Sequence, residues 1–219
     1  MGKRGSSSGV QRYRGGGGLN PGDILDERDM FDERNALGEN GDLRKETDDA
    51  LATLEDITRD FADADLANGL LVSTLKGKAA NSTLGYYDGT NVAVNDKYFN
   101  EAMEQAYQEC VKIGFHPSSG SKTGLQAVIA HELGHALTDA VGRKMGLGDI
   151  DAAAERIVKE ARKSTSHRGV VQMAAKISRY ATATNAETIA EAVSDVYCNG
   201  AKAAAESRAV VDTLRRMLK

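Results

Sequence analysis

The 219-residue sequence predicts an α+β domain, a small antiparallel or mixed sheet followed by a helical C-terminal half. Three observations point there. Short strand-like apolar runs cluster in residues 70–95, whereas apolar residues at helical spacing dominate on either side. Asp88-Gly89 lies between two such runs, a hairpin signal. Alanine is abundant, aromatic residues make up 5% and Trp is absent, a composition suited to closely packed helices.

Residues 1–18 are rich in Gly and Ser and carry four basic and no acidic side chains, so they are expected to be disordered. Residues 23–34 reverse the sign, with six acidic residues against Arg28 and Arg34. The isolated Leu25 and Phe31 suit a loose helix or an adaptor segment. A boundary near Gly41 divides this charged segment, 1–41, from a domain spanning 42–219. Within the domain, Leu43, Ala50, Leu51, Leu54, Ile57 and Phe61 form the stripe of an amphipathic helix over 43–64. Strands follow at 70–75, 83–87 and 91–95, in a sheet of three or four. The spacing of Phe99, Met103, Ala106, Cys110 and Ile113 then predicts a helix over 96–113. The loop 116–121 leads into a further helix that should end near Gly146 or Gly148. Residues 149–163 read as a solvated, Ala-rich spacer helix, 170–178 as a short helix, 184–197 as a third and 201–218 as a terminal one.

Composition excludes several classes. A net charge of −4 does not suit a nucleic-acid binder, and four basic residues in a tail are a weak basis for one. No apolar run approaches a membrane span, and no apolar stretch follows the basic N-terminus as in a signal peptide. A cytoplasmic or virion-associated location is the expectation. Cys110 and Cys198 lack paired spacing and read as buried free thiols rather than a disulfide or zinc ligands.

The chemistry concentrates in His131-Glu132-Leu133-Gly134-His135. On a helix, positions four apart stack one above the other, so His131 and His135 share a face one turn apart. Two imidazoles so placed can bind one Zn²⁺, with Glu132 beside them as the base. Catalytic zinc takes a third protein ligand. Gly142-Arg143-Lys144-Met145-Gly146 supplies none; a carboxylate on a later helix is the usual alternative, and Glu187 and Glu191, with Asp195 a further turn on, share one face at steps of four.

The HELGH stretch together with residues 178–191 resembles the gluzincin metallopeptidases, a zincin-like family. It is most similar to the branch of anthrax lethal factor and the proline-specific clostridial endopeptidases. That branch places a Tyr seven residues before its glutamate ligand and a second Glu four residues after it, spacings that Tyr180, Glu187 and Glu191 meet. The resemblance covers about residues 85–197. It implies Glu187 as third zinc ligand, Glu191 as a carboxylate on the far nitrogen of a ligand histidine, and Tyr180 as hydroxyl donor to the developing oxyanion. The chain also resembles the thermolysin zinc helix. On that alignment Glu191 binds zinc and Asp195 orients a histidine, although Ala190 stands where Asn is expected. Glu187 then only caps its helix, in a Thr184–Glu187 capping box. The Tyr180 spacing favours the first alignment.

The function implied is a zinc-dependent endopeptidase acting on a peptide or protein substrate, with Glu132 and Tyr180 as catalytic groups. Residues 91–95 are expected to be the edge along which the substrate strand adds. The alternative is a structural or interaction protein of a phage or mobile element that carries a metallopeptidase-like domain. His116 and His167 read as loop histidines, and Tyr86, Tyr87, Tyr107 and Tyr197 as packing residues.

Overall fold

The computed structural model describes residue 19, residues 21–32, and residues 43–219 apart from 63, 65 and 68. The Gly/Ser-rich stretch and the boundary near Gly41 lie outside the described residues. The fold is α+β. Strands β1 (Ile24–Asp29), β2 (Gly69–Leu75), β3 (Gly85–Tyr87) and β4 (Asn91–Asn95) form one mixed sheet in the order β1-β2-β4-β3. The outer pairs are antiparallel and β2 runs parallel to β4.

Two expectations about strands need correction. Residues 24–29 are an edge strand, not a loose helix. Only Ile24 is partly buried, so main-chain pairing with β2 holds this strand rather than an apolar face. Its charges find distant partners, Arg28 with Asp96 at 2.6 Å and Glu27 with the Tyr86 hydroxyl at 2.8 Å. Nor is Asn91–Asn95 an edge. The β3–β4 hairpin folds back over Asp88, whose side chain accepts from the amides of Thr90 and Asn91, both at 2.7 Å. That turn leaves β3 outermost and β4 enclosed between β3 and β2.

The helices are α1 (Arg44–Asp60), the short α2 (Ala79–Ser82), α3 (Ala102–Lys112), α4 (Gly124–Lys144), α5 (Ile150–Arg162), the short α6 (Val170–Ala174), α7 (Asn185–Asn199) and α8 (Ala205–Leu218). Helix α4 is the axis of the molecule. It packs against α1, α3, α5, α7, α8 and strands β3 and β4, so it is buried nearly all round and not along one stripe. A reciprocal cap opens it: Thr123 accepts from the Gln126 amide, and the Gln126 side chain accepts from the Thr123 amide. Gly146, with φ of 63°, follows its last turn.

Helix α7 lies closest to α4. A Cβ on Gly134 would come within 2.6 Å of Ala190 Cα, so the missing side chain permits this approach. Helix α5, expected as a solvated spacer, instead buries Ile150, Ala153, Ala154, Ile157, Val158 and Ala161 against α4, α7 and α8. Its apolar residues recur at three and four, and this periodicity decides its burial more than its charge content does. In α3 the buried positions are Met103 and Tyr107. Ala106 and Cys110 face a cleft, and Ile113, just beyond the helix, is 62% exposed beside it. Both cysteines are free thiols, Cys198 buried and Cys110 only partly so. No helix among the described residues is long and apolar enough to cross a membrane.

Candidate metal centre

His131, Glu132 and His135 sit mid-way along α4, all buried, with potential ligand atoms within 4.8 Å of one another. Their burial follows from the position of α4, enclosed by helices on one side and by β3 on the other. β3 crosses close above Glu132: a Cβ on Gly85 would meet Val128 at 2.8 Å and Glu132 Cγ at 3.2 Å.

Helix α7 brings two carboxylates to this point. Glu187 Oε2 lies 3.1 Å from His131 Nε2 and 3.6 Å from His135 Nε2. It completes a well-aligned hydrogen bond to neither. Glu191, 1% exposed, is fully used. Its Oε1 accepts from His131 Nδ1 at 2.7 Å and from His116 Nδ1 at 2.8 Å, and its Oε2 accepts from Ser178 Oγ at 2.7 Å. Glu191 thus takes the Nδ1 edge of His131, and Glu187 meets the Nε2 edge. The Glu187 amide donates to Thr184 Oγ1 at 3.1 Å, so its main chain is capped while its carboxylate faces the histidines.

Asp195 points elsewhere. It accepts from Asn199 Nδ2 at 2.9 Å, the Ala204 amide at 2.9 Å and Ser207 Oγ at 2.6 Å, tying α7 to the start of α8. It touches neither histidine of the motif, whereas the thermolysin-like alignment requires it to orient one.

Tyr180 stacks on His131, ring centroids 5.9 Å apart, and on Phe115 at 4.8 Å. Two main-chain hydrogen bonds place it, Arg179 N to Gly114 O at 2.9 Å and Tyr180 N to Phe115 O at 3.0 Å. The same link brings in a residue that sequence reasoning left in a loop. His116 packs flat on Tyr107 at 5.4 Å, stands edge-on to Tyr180 and shares Glu191 with His131. Its spacing from the motif carries no helical period, so only the fold reveals it. His167 pairs instead with Glu206 at 2.6 Å.

Electrostatics follow from this crowding. Burial opposes charge on His131, but the adjoining carboxylates of Glu187 and Glu191 outweigh it and hold its proton affinity well above the ordinary range. Burial likewise works against Glu187 and Glu191. Next to His135 and His131, Glu187 is nevertheless held well below the carboxylate range, and Glu191, beside His116 and His131, falls to about 2. Glu132 goes the other way, pushed up chiefly by burial. Its Oε2 and Glu187 Oε2 are buried without a hydrogen-bond partner among the described residues. Such atoms are costly to bury unless a ligand satisfies them. Two imidazoles and a carboxylate are an ordinary donor set for a divalent transition metal, zinc above all, so the residues fit the ion the motif implies.

Beside the centre lies a cleft of about 500 Å³. Leu84, Ala106, Cys110, Ile113 and Phe115 contribute apolar surface, and His116, His131, Glu132 and Tyr180 are among its polar lining. No protein-family model, curated protein or solved structure matches this chain.

Proposed function

We propose that the chain is a zincin-like zinc peptidase of the gluzincin type, hydrolysing peptide bonds in this cleft. The observation that carries the reading is the meeting of Glu187 Oε2 with the Nε2 atoms of His131 and His135, while Glu191 accepts from His131 Nδ1. One edge of each imidazole is thus presented to a common point, and His131 is held by a carboxylate behind it, the arrangement by which proteins orient metal-binding histidines. His131, His135 and Glu187 would hold zinc, which supplies Lewis acidity and water activation near neutral pH.

The remaining work belongs to the protein. Glu132, whose buried Oε2 has no partner among the described residues, takes a proton from the attacking water and returns it to the leaving amine. Tyr180, at the cleft end of the site, donates its hydroxyl hydrogen to the developing oxyanion. The substrate main chain adds along β3 rather than β4. The hydrogen bonds of Asn95 N to Leu84 O and of Asp88 N to Asn91 O turn residues 84, 86 and 88 toward β4. The main chain of Gly85 is therefore directed away from β4, close to Glu132.

The test compares zinc-loaded wild type with Glu132→Gln on a quenched fluorescent peptide library. The variant should keep its zinc and its melting temperature and lose at least ~10²-fold in cleavage rate. Cleavage undiminished in Glu132→Gln, or absent from the zinc-loaded wild type, contradicts the proposal.

A further inference from the structure

We propose that His116 is a peptide-contacting residue of the cleft, its Nε2 hydrogen-bonding a main-chain amide of the bound peptide. The proposal rests on the reading of the cleft as a peptide site. His116 is anchored at one edge only. Nδ1 donates to Glu191 Oε1 at 2.8 Å, which is possible because that oxygen belongs to a buried carboxylate able to accept from two imidazoles at once. The ring has little freedom to turn. Tyr107 stacks on it within 5° of parallel, and Phe115 and Tyr180 stand against its edges. Nε2, at the opposite edge, hydrogen-bonds no described residue and is not sealed from solvent as Glu132 Oε2 is. The side chain is 13% exposed, and it lines the cleft.

His116 has one ring nitrogen paired and the other open to the cleft. A carboxylate fixes its tautomer and orientation, and the other nitrogen is offered to the cavity, as in residues that recognise ligands. The main-chain link that carries Phe115 and Tyr180 holds this imidazole and the tyrosine side by side, ring centroids 5.5 Å apart. A peptide passing Tyr180 therefore passes His116.

Two amide substitutions separate the roles of the two nitrogens. The amide nitrogen of Asn overlays Nδ1 and keeps the bond to Glu191, whereas the amide of Gln overlays Nε2. The probes are acetohydroxamate, which reaches only the metal, and a dipeptide hydroxamate with apolar side chains, which also enters the cleft. Affinities are read by calorimetry, with zinc affinity by dye competition in parallel. His116→Asn should hold zinc normally, bind acetohydroxamate normally and bind the dipeptide hydroxamate about 5–10-fold more weakly. His116→Gln should recover most of that loss. In the wild type, the ¹⁵N signal of His116 Nε2 should move when the dipeptide hydroxamate binds, which keeps the test open should either variant fold poorly. An unmoved signal overturns the proposal, as does undiminished dipeptide binding by His116→Asn. Equal weakening of both hydroxamates also overturns it, because His116 would then act only through Glu191. A wild type that takes up no zinc sinks the proposal together with the metal centre. One that holds zinc but binds the dipeptide no better than acetohydroxamate sinks the cleft contact alone.

Discussion

Glu187, Glu191 and Asp195 stand at steps of four on one helix, yet they meet three different environments. Glu187 faces the Nε2 edges of two histidines, Glu191 the Nδ1 edges of two histidines, and Asp195 the first turn of α8. Different losses follow. Glu191→Ala should weaken zinc binding by about 10–100-fold, because it removes the group that orients His131. Asp195→Ala should leave zinc binding unchanged and cost about 1–3 kcal/mol in a denaturant titration, since it strands the Ala204 amide and Ser207 hydroxyl. A large zinc defect in Asp195→Ala would favour the thermolysin-like alignment. Away from the centre, burial opposes the charge of Glu206, but the hydrogen bond from His167 outweighs it and depresses the carboxyl. A depressed carboxyl contributes stability that is present above its unfolded value and is lost as pH falls through the folded one. Between about pH 6 and pH 3, Glu206→Gln should therefore lose less melting temperature than the wild type. Equal losses would show that the pair contributes nothing.

Among the elements, the α4–α7 contact decides whether the candidate metal centre forms, because α4 carries His131 and His135 and α7 carries Glu187. Gly134→Ala places a Cβ 2.6 Å from the Ala190 backbone, with no flexible side chain to give way. It should cost about 1–3 kcal/mol by chemical denaturation and weaken zinc binding together with stability. Unaltered stability would mean that the helices separate at no cost. Helix α5 supports this pair from behind, and Ile157→Ala, at a fully buried site, should cost about 2–5 kcal/mol. The sequence made these elements unequally legible. α1, α4 and the β3–β4 hairpin are readable from apolar period and Asp-Gly chemistry, which are local. β1 was not, because its residues carry no alternating apolar face and it exists only through pairing with β2, some forty residues away in sequence. The enclosure of β4 is likewise a property of strand order, which no local pattern records.

Across the whole molecule, one mixed sheet and a ring of helices enclose α4, so a five-residue motif is desolvated on every side except the cleft. Spacing of four on a helix is geometry and named the motif and three candidate carboxylates, whereas the choice of Glu187 among them came from the resemblance. His116 could not be named from spacing, because a loop residue joins the site through main-chain pairing between residues 114–115 and 179–180. The central claim is that His131, His135 and Glu187 form one zinc site. Its most direct test is zinc stoichiometry and affinity, by elemental analysis and chelating-dye competition, in wild type and Glu187→Ala. The account predicts one zinc per wild-type chain and a loss in Glu187→Ala greater than the roughly 10–100-fold expected for Glu191→Ala. A wild type without zinc, or a Glu187→Ala variant that binds it nearly as tightly as the wild type, would contradict the account.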